Sequence, residues 1–390
     1  MQMRWIMLGV LFIVRLSMGY QFQSVASVSS TLVSEFGFSY AQVGTLIGLF
    51  LLPGIIIAIP SGLMTRAVSD KYLLMLGAAA MVTGAIVMAL AGSHSSLYTG
   101  RLITGIGGAI FNVILTKMVT EWFFEKEIVT ALAIMLSAWP MGLAMGLVSQ
   151  GLMAETYGFV VVMYAMAAFA LFGLVLLALF YREAPVPDGH GAVSFRIGLP
   201  KRQFVHMSTV GIAWALHNAS TILVISFAPA ILIEKGYTAF EALSVTSLFM
   251  WAALVAGPLG GRVMEVLGHI TSTIMVMTAV GAAALVSIIY ADMPEISFLA
   301  LGLFLSIPIG ALMSLSSEAV NAANRGPGLG IFFTWYYLGM TLAPILAGWT
   351  LDITGSVDAP LIMAAVMLMM VILLVGLFRL LQKFWPINVE

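Results

Sequence analysis

The sequence predicts an all-α polytopic membrane protein, twelve transmembrane helices in two pseudo-symmetric six-helix bundles, and three observations predict it. Of the 390 residues 61% are hydrophobic and 8% charged, with a mean hydropathy of +1.08, whereas roughly a quarter of the residues in soluble domains are charged. Apolar runs of about 20 residues, the length that crosses a bilayer core of roughly 30 Å, recur twelve times. A polar interruption divides them six and six, and the two sets share features at a fixed offset.

Span one, 5–27, has Arg15 near its middle and is followed by serines rather than by a small-residue cleavage site, so it reads as a retained helix. Spans two to six are expected at 42–64, 72–92, 97–119, 128–151 and 159–181. The stretch 182–203 is polar and broken by Pro185, Pro187, Gly189 and Pro200. It reads as a cytoplasmic linker between an N-terminal bundle, 1–181, and a C-terminal bundle, 204–390. Spans seven to twelve follow at 204–228, 241–262, 270–290, 296–317, 329–350 and 358–382.

With both termini inside, 13 of the 16 basic residues fall on the cytoplasmic side, leaving Arg15, Arg101 and Lys235. The opposite loops carry Glu35, Glu155, Glu234, Asp292, Glu295, Asp352 and Asp358. That asymmetry follows the positive-inside rule and places the chain in a membrane, expected to be the bacterial inner membrane. The halves also repeat: Glu35-Phe-Gly-Phe-Ser39 matches Glu234-Lys-Gly-Tyr-Thr238, and the same 199-residue offset pairs Leu49-Phe50 with Leu248-Phe249 and Gly62 with Gly261. Gly142 and Gly339 link spans five and eleven. A repeat of half the chain is the signature of transporters whose solute site lies between related bundles near the midplane.

Composition narrows the chemistry further. With no cysteine there are no disulfides or thiolate metal sites, and the 27 methionines are scattered, so they read as adaptable packing rather than as a metal path. No His-Glu-x-x-His, phosphate loop or nucleophile elbow occurs, so neither an enzyme nor ATP-driven pumping by this chain is expected. No cofactor, metal or nucleic acid is expected, and the chain is expected to act as a monomer.

Over essentially its whole length the chain resembles the major facilitator superfamily. The carriers are the two sets of six spans, the basic linker and the short loops after spans two and eight. The superfamily's loop motif, Gly-x-Leu-Ala-Asp-Arg-x-Gly-Arg-Lys, is matched by Gly62-Leu-Met-Thr-Arg66-Ala-Val-Ser-Asp70-Lys71, with acid and arginine interchanged, and by Gly261-Arg-Val-Met-Glu265-Val-Leu-Gly268-His269. The resemblance implies a cytoplasmic gate involving Arg66, Asp70, Lys71, Glu265 and Arg325, with pairing to Glu121, Glu125 and Glu127. Arg101-Leu-Ile-Thr-Gly105 looks like the family's Arg-x-x-x-Gly motif, associated there with proton coupling. Ser137-Ala-Trp139-Pro140-Met-Gly142 only faintly echoes the antiporter motif. Thr120 to Glu127 and Leu49 to Gly54 are similar to bacterial small-anion porters of the nitrate/nitrite and cyanate type, although those porters' glycine runs in spans five and eleven are not reproduced.

The polar residues inside the spans then define a candidate site. A central membrane charge costs at least roughly 2.5 to 3.5 kcal/mol, and no Asp or Glu lies at the depth of Arg15 to neutralise it; an anionic solute would. Helical spacing puts Gly19, Phe22 and, less squarely, Gln23 on the face of Arg15. Trp214, His217, Asn218 and Thr221 form a similar stripe in span seven, which with span one borders the central cavity in the superfamily. Asn112, Trp139, Trp335, Tyr336 and Tyr337 are expected to complete the wall. His217, Arg101 and Glu318 are the proton-coupling candidates, while Lys117, Glu318 and Arg325 are placed near the cytoplasmic ends. The expected function is secondary active transport of a small anionic solute with protons, by symport. A proton-antiport exporter of drugs or metabolites is the alternative, and a solute receptor a third reading.

Overall fold

A computed structural model describes residues 2–57, 68–123, 127–184, 199–321 and 324–387. Twelve helices among them are long and apolar enough to cross a membrane. They are α1 (Gln2–Ser27), α2 (Tyr40–Ile57), α3 (Asp70–Ala89), α4 (His94–Trp122), α5 (Ile128–Tyr157), α6 (Phe159–Phe180), α7 (Lys201–Glu234), α8 (Ala239–Leu267), α9 (Ile270–Tyr290), α10 (Pro294–Glu318), α11 (Arg325–Thr354) and α12 (Ala359–Phe384). A short helix, Ser29–Ser34, follows α1. Most of the 182–203 linker, and with it the loop residues Gly62 and Arg66 and the acidic Glu125, lies outside the described residues.

Helices satisfy their own backbone groups, which is the condition for crossing lipid. Where a proline removes an N–H the ladder loosens. In α2 the bonds shorten to Leu51 N to Gly48 O and Gly54 N to Leu51 O just around Pro53. α10 breaks into Pro294–Ser306 and Ile309–Glu318 at Pro308. Both irregular turns lie deep in their spans, and each faces a residue that matters below.

Packing follows the same order in the two halves. α1 lies against α5 and α6, and α7 against α11 and α12; α3 packs on α4 and α6, and α9 on α10 and α12. Small residues set these approaches. A Cβ on Gly84 would lie 2.5 Å from the Gly100 carbonyl oxygen, and one on Gly107 would lie 2.3 Å from that of Gly77. In lipid such close backbone approach supplies association that the hydrophobic effect cannot.

The halves meet chiefly through α2 with α11 and α5 with α8. Cβ atoms on Gly44, Gly48 and Gly348 would lie 2.0 to 2.3 Å from the carbonyl oxygens of Pro344, Thr341 and Tyr40. All three contacts lie toward the end opposite the chain termini. At the terminus-bearing end the described ion pairs stay within one half: Arg4 with Glu127, Lys117 with Asp70 and Glu121, and Arg379 with Glu318. The described contacts therefore join the halves at one end and leave them unbridged by ion pairs at the other.

Candidate functional site

Arg15 sits midway along α1 and is 8% exposed. Its Nε and Nη1 are buried without a hydrogen-bond partner, and it lies within Coulombic range of Tyr336 and Tyr337 of α11, in the other half. Asn112 Nδ2 of α4 donates to Tyr337 Oη at 3.3 Å, a bond that crosses between the halves at mid-membrane. Tyr336 stands edge-on to Tyr337 with centroids 5.1 Å apart. Gly54, just beyond the irregular turn of α2, packs on the Tyr337 ring, where a Cβ would meet Cε1 at 2.2 Å. Arg15, Asn112, Tyr336 and Tyr337 therefore form one cluster built from four points on three helices.

Trp139 of α5 packs at a tilt on Phe22, with centroids 5.3 Å apart. Gly19 and Gln23, which share the helical face of Arg15, are turned into α5 rather than toward α11. A Cβ on Gly19 would lie 2.6 Å from the Trp139 carbonyl oxygen, and Gln23 is fully buried against Gly146 with both side-chain polar atoms unpartnered. They hold α1 close to α5. Phe22 is likewise buried, edge-on to Phe50.

The α7 stripe is divided. Trp214 packs on Phe332 with its Nε1 buried and unpartnered. Asn218 donates to the Trp214 carbonyl at 2.9 Å, and Thr221 to that of His217 at 3.3 Å. His217 is 1% exposed; its ring reaches the backbone of Leu305, beside the break in α10, and its Nδ1 has no partner. Trp335 faces α7, with Cδ1 3.2 Å from where a Gly211 Cβ would be.

Arg101 differs from Arg15 in every respect that counts. It is fully buried, and its guanidinium donates to the carbonyls of Leu46 (3.0 Å), Gln21 (3.0 Å) and Phe22 (2.7 Å), with Ser24 Oγ at 3.4 Å. Its charge lies over the rings of Phe22 and Phe50, 5.7 and 4.8 Å from their centroids. The residue ties α4 to α1 and α2. Glu318 is held by Arg379 and Gln382 of α12, away from the midplane cluster.

At the terminus-bearing end, Asp70 takes Lys117 Nζ at 2.8 Å, and Lys117 also meets Glu121 at 3.5 Å. Lys71, expected to pair with acids, instead donates to the carbonyls of Ala178 and Tyr181 at the end of α6. There Trp122 Nε1 donates to Tyr181 Oη at 3.2 Å, and burial pushes the phenol upward from its ordinary range. Glu127 pairs with Arg4. Arg325 is exposed in the first turn of α11, and the side chain of Glu265 lies outside the described residues.

The model of the Major Facilitator Superfamily matches residues 11–295 and 210–388. The chain belongs to the major facilitator superfamily. Within it, the chain is 24% identical over 368 residues to the 3-(3-hydroxy-phenyl)propionate transporter of Escherichia coli (strain K12), a match covering 90% of this chain and 88% of that one. Its fold is similar to that of a bacterial homologue of the human lysosomal transporter Spinster in an inward-facing and occupied conformation, with a TM-score of 0.78 at 15% identity over 99% and 98% of the two chains. The nucleoside transporter NupG is similar too, with a TM-score of 0.75 at 14% identity over 96% and 99%. Family and fold make this protein an integral membrane transporter and not an enzyme.

Sequence reasoning grouped Asn112, Tyr336 and Tyr337 in the wall of one cavity with Arg15, but did not foresee the direct bond of Asn112 to Tyr337 across the halves. It missed Asp352, which accepts from Tyr40 N and Ala41 N of the other half, and Glu155, which accepts from Phe240 N. Their signal was present in the two capping sequences Ser39-x-x-Gln42 and Thr238-x-x-Glu241, which mark helix starts that the opposite half meets.

Proposed function

We propose that this superfamily member is a secondary active transporter that moves a small carboxylate with an aromatic body, coupled to protons, by alternating access. The observation that carries the reading is Arg15, a buried guanidinium with two unpartnered donor atoms within Coulombic range of Tyr336 and Tyr337. Its paired donors match a carboxylate bidentately. A solute that supplied the missing acceptors would offset the cost of burying the charge, and its ring would meet the aromatic faces of Trp139 and Tyr336. The aromatic acid carried by the E. coli relative is of this chemical class.

No carboxylate lies at mid-span among the described residues, which disfavours an exporter of cations by proton antiport. With the termini cytoplasmic, as the basic residues suggest, the joined end faces outward and the unjoined end the cytoplasm. The test is uptake into proteoliposomes of 3-(3-hydroxyphenyl)propionate and related aromatic carboxylates under an inward proton gradient. Accumulation that a protonophore collapses is expected; proton-driven movement of organic cations without carboxylate uptake would overturn the reading.

A proton is expected to enter with the anion, because an inside-negative potential opposes an entering negative charge by roughly 2.3 kcal/mol per 100 mV. Of the three candidates, Arg101 is held by three carbonyls and Glu318 by Arg379, whereas His217 keeps a free ring nitrogen. We therefore assign the proton to His217. His217→Gln is expected to retain solute counterflow and to lose accumulation driven by pH alone. Accumulation undiminished in that variant would move the proton elsewhere.

A further inference from the structure

Each helix start leaves four N–H groups without an intrahelical partner. In α2 and α8 the capping box takes two of them. Ser39 Oγ accepts from Gln42 N and Gln42 Oε1 from Ser39 N; Thr238 Oγ1 accepts from Glu241 N and Glu241 Oε2 from Thr238 N. The donors left over are those of the first two helical residues, and the opposite half meets three of these four. Asp352 of α11 accepts from Tyr40 N (Oδ1, 2.9 Å) and Ala41 N (Oδ2, 2.8 Å), while Glu155 Oε1 of α5 accepts from Phe240 N at 2.7 Å. Both acceptors are ionisable carboxylates placed where the helix dipole favours negative charge.

The two contacts are one contact repeated. Asp352 and Glu155 are 197 residues apart, the offset that also pairs Gly142 with Gly339, and Ala41 and Phe240 are 199 apart, the offset of the capping sequences. Each half thus caps a helix of the other. Apart from the bond of Asn112 to Tyr337 at mid-membrane, these are the hydrogen bonds recorded between the halves among the described residues. Separation of the halves at this end breaks all three backbone bonds at once.

We propose that Asp352 and Glu155 form a two-point latch that holds the transporter closed at the end opposite its termini, by capping the first turns of α2 and α8 across the bundle interface. Rotation to the alternate state releases both helix starts to water, so the latch sets the population of the two states independently of which solute is carried. Both carboxylates are near the surface, so each shifts the balance modestly rather than locking it.

The chain has no cysteine, which makes disulfide trapping clean. A Cβ on Gly151 of α5 would lie 3.4 Å from the Leu243 Cβ of α8, close to the separation a disulfide spans. Replacing Leu243 also removes the methyl that would crowd the new side chain. In the Gly151→Cys/Leu243→Cys protein in liposomes, oxidative cross-linking reports closure of that end. Asp352→Asn, on the remote seam, is expected to lower the cross-linking rate roughly threefold, and Asp352→Asn with Glu155→Gln roughly tenfold. Asp352→Glu keeps a carboxylate and is expected to cross-link like the parent, which excludes misfolding as the cause. Asp292→Asn removes an exposed acid at the same end that bridges nothing, and should change nothing. An unchanged rate in the double variant, or an equal loss in Asp292→Asn, would overturn the latch.

Discussion

Arg15→Ala is expected to abolish solute uptake while leaving the melting temperature of the empty protein unchanged or higher. The physical reason lies in what the side chain lacks: two of its donor atoms are buried with no acceptor, and no carboxylate sits beside it. Truncation therefore strands no partner and removes an uncompensated charge. Loss of a bidentate charge-assisted contact to the solute is expected to cost about 3 to 4 kcal/mol, a fall in uptake on the order of several hundredfold. Arg15→Lys keeps the charge but not the planar pair of donors, and is expected to raise the half-saturation concentration while preserving the fold. Thermal melts and initial uptake rates measured together check it. A clearly lowered melting temperature in Arg15→Ala, or intact uptake, would make the residue a strut and remove the anion site.

Arg101→Met is expected to do the reverse and destabilise the N-terminal bundle. The guanidinium bridges carbonyls of α1 and α2 from α4, so its loss unties three helices and leaves a cavity between Phe22 and Phe50. Hydrogen bonds to charged groups contribute about 1.5 to 3 kcal/mol each in soluble proteins and less in membranes, so a net loss of roughly 2 to 4 kcal/mol is expected. The melting temperature should fall by about 5 °C or more. Arg101→Lys is no rescue, because one ammonium cannot span Leu46 and Phe22 from the same stem. Should Arg101→Met melt like the parent yet lose only its proton-driven accumulation, the arginine belongs to coupling and not to the scaffold.

Helix number, span positions and the repeat were legible in the sequence because each depends on local quantities: the length of an apolar run, the placement of Lys and Arg, and residues recurring at one offset. The aromatic run of α11 and the charge of Arg15 stood out as candidates for the same reason, since a polar group in lipid needs an explanation wherever it lies. The fates of Gly19 and Gln23 were not. On an ideal helix eight residues turn the chain about 80° past alignment, and four about 40°, enough to point these two into α5 while Arg15 faces α11.

Arg15 and Arg101 are both arginines within apolar spans, and nothing in their flanking residues says that one is satisfied and the other free. That was decided by where the carbonyls of Gln21, Phe22 and Leu46 come to rest. Asp352 and Glu155 likewise read as ordinary loop-end acids until α2 and α8 are brought against them. The sequence by itself determined which segments are long and apolar enough to cross a membrane, because burial in lipid is set by each segment's own composition. Only the tertiary structure decided which polar atoms find partners. A hydrogen bond requires two groups within about 3 Å, and groups that are distant along the chain reach that separation only through the packing of every helix between them.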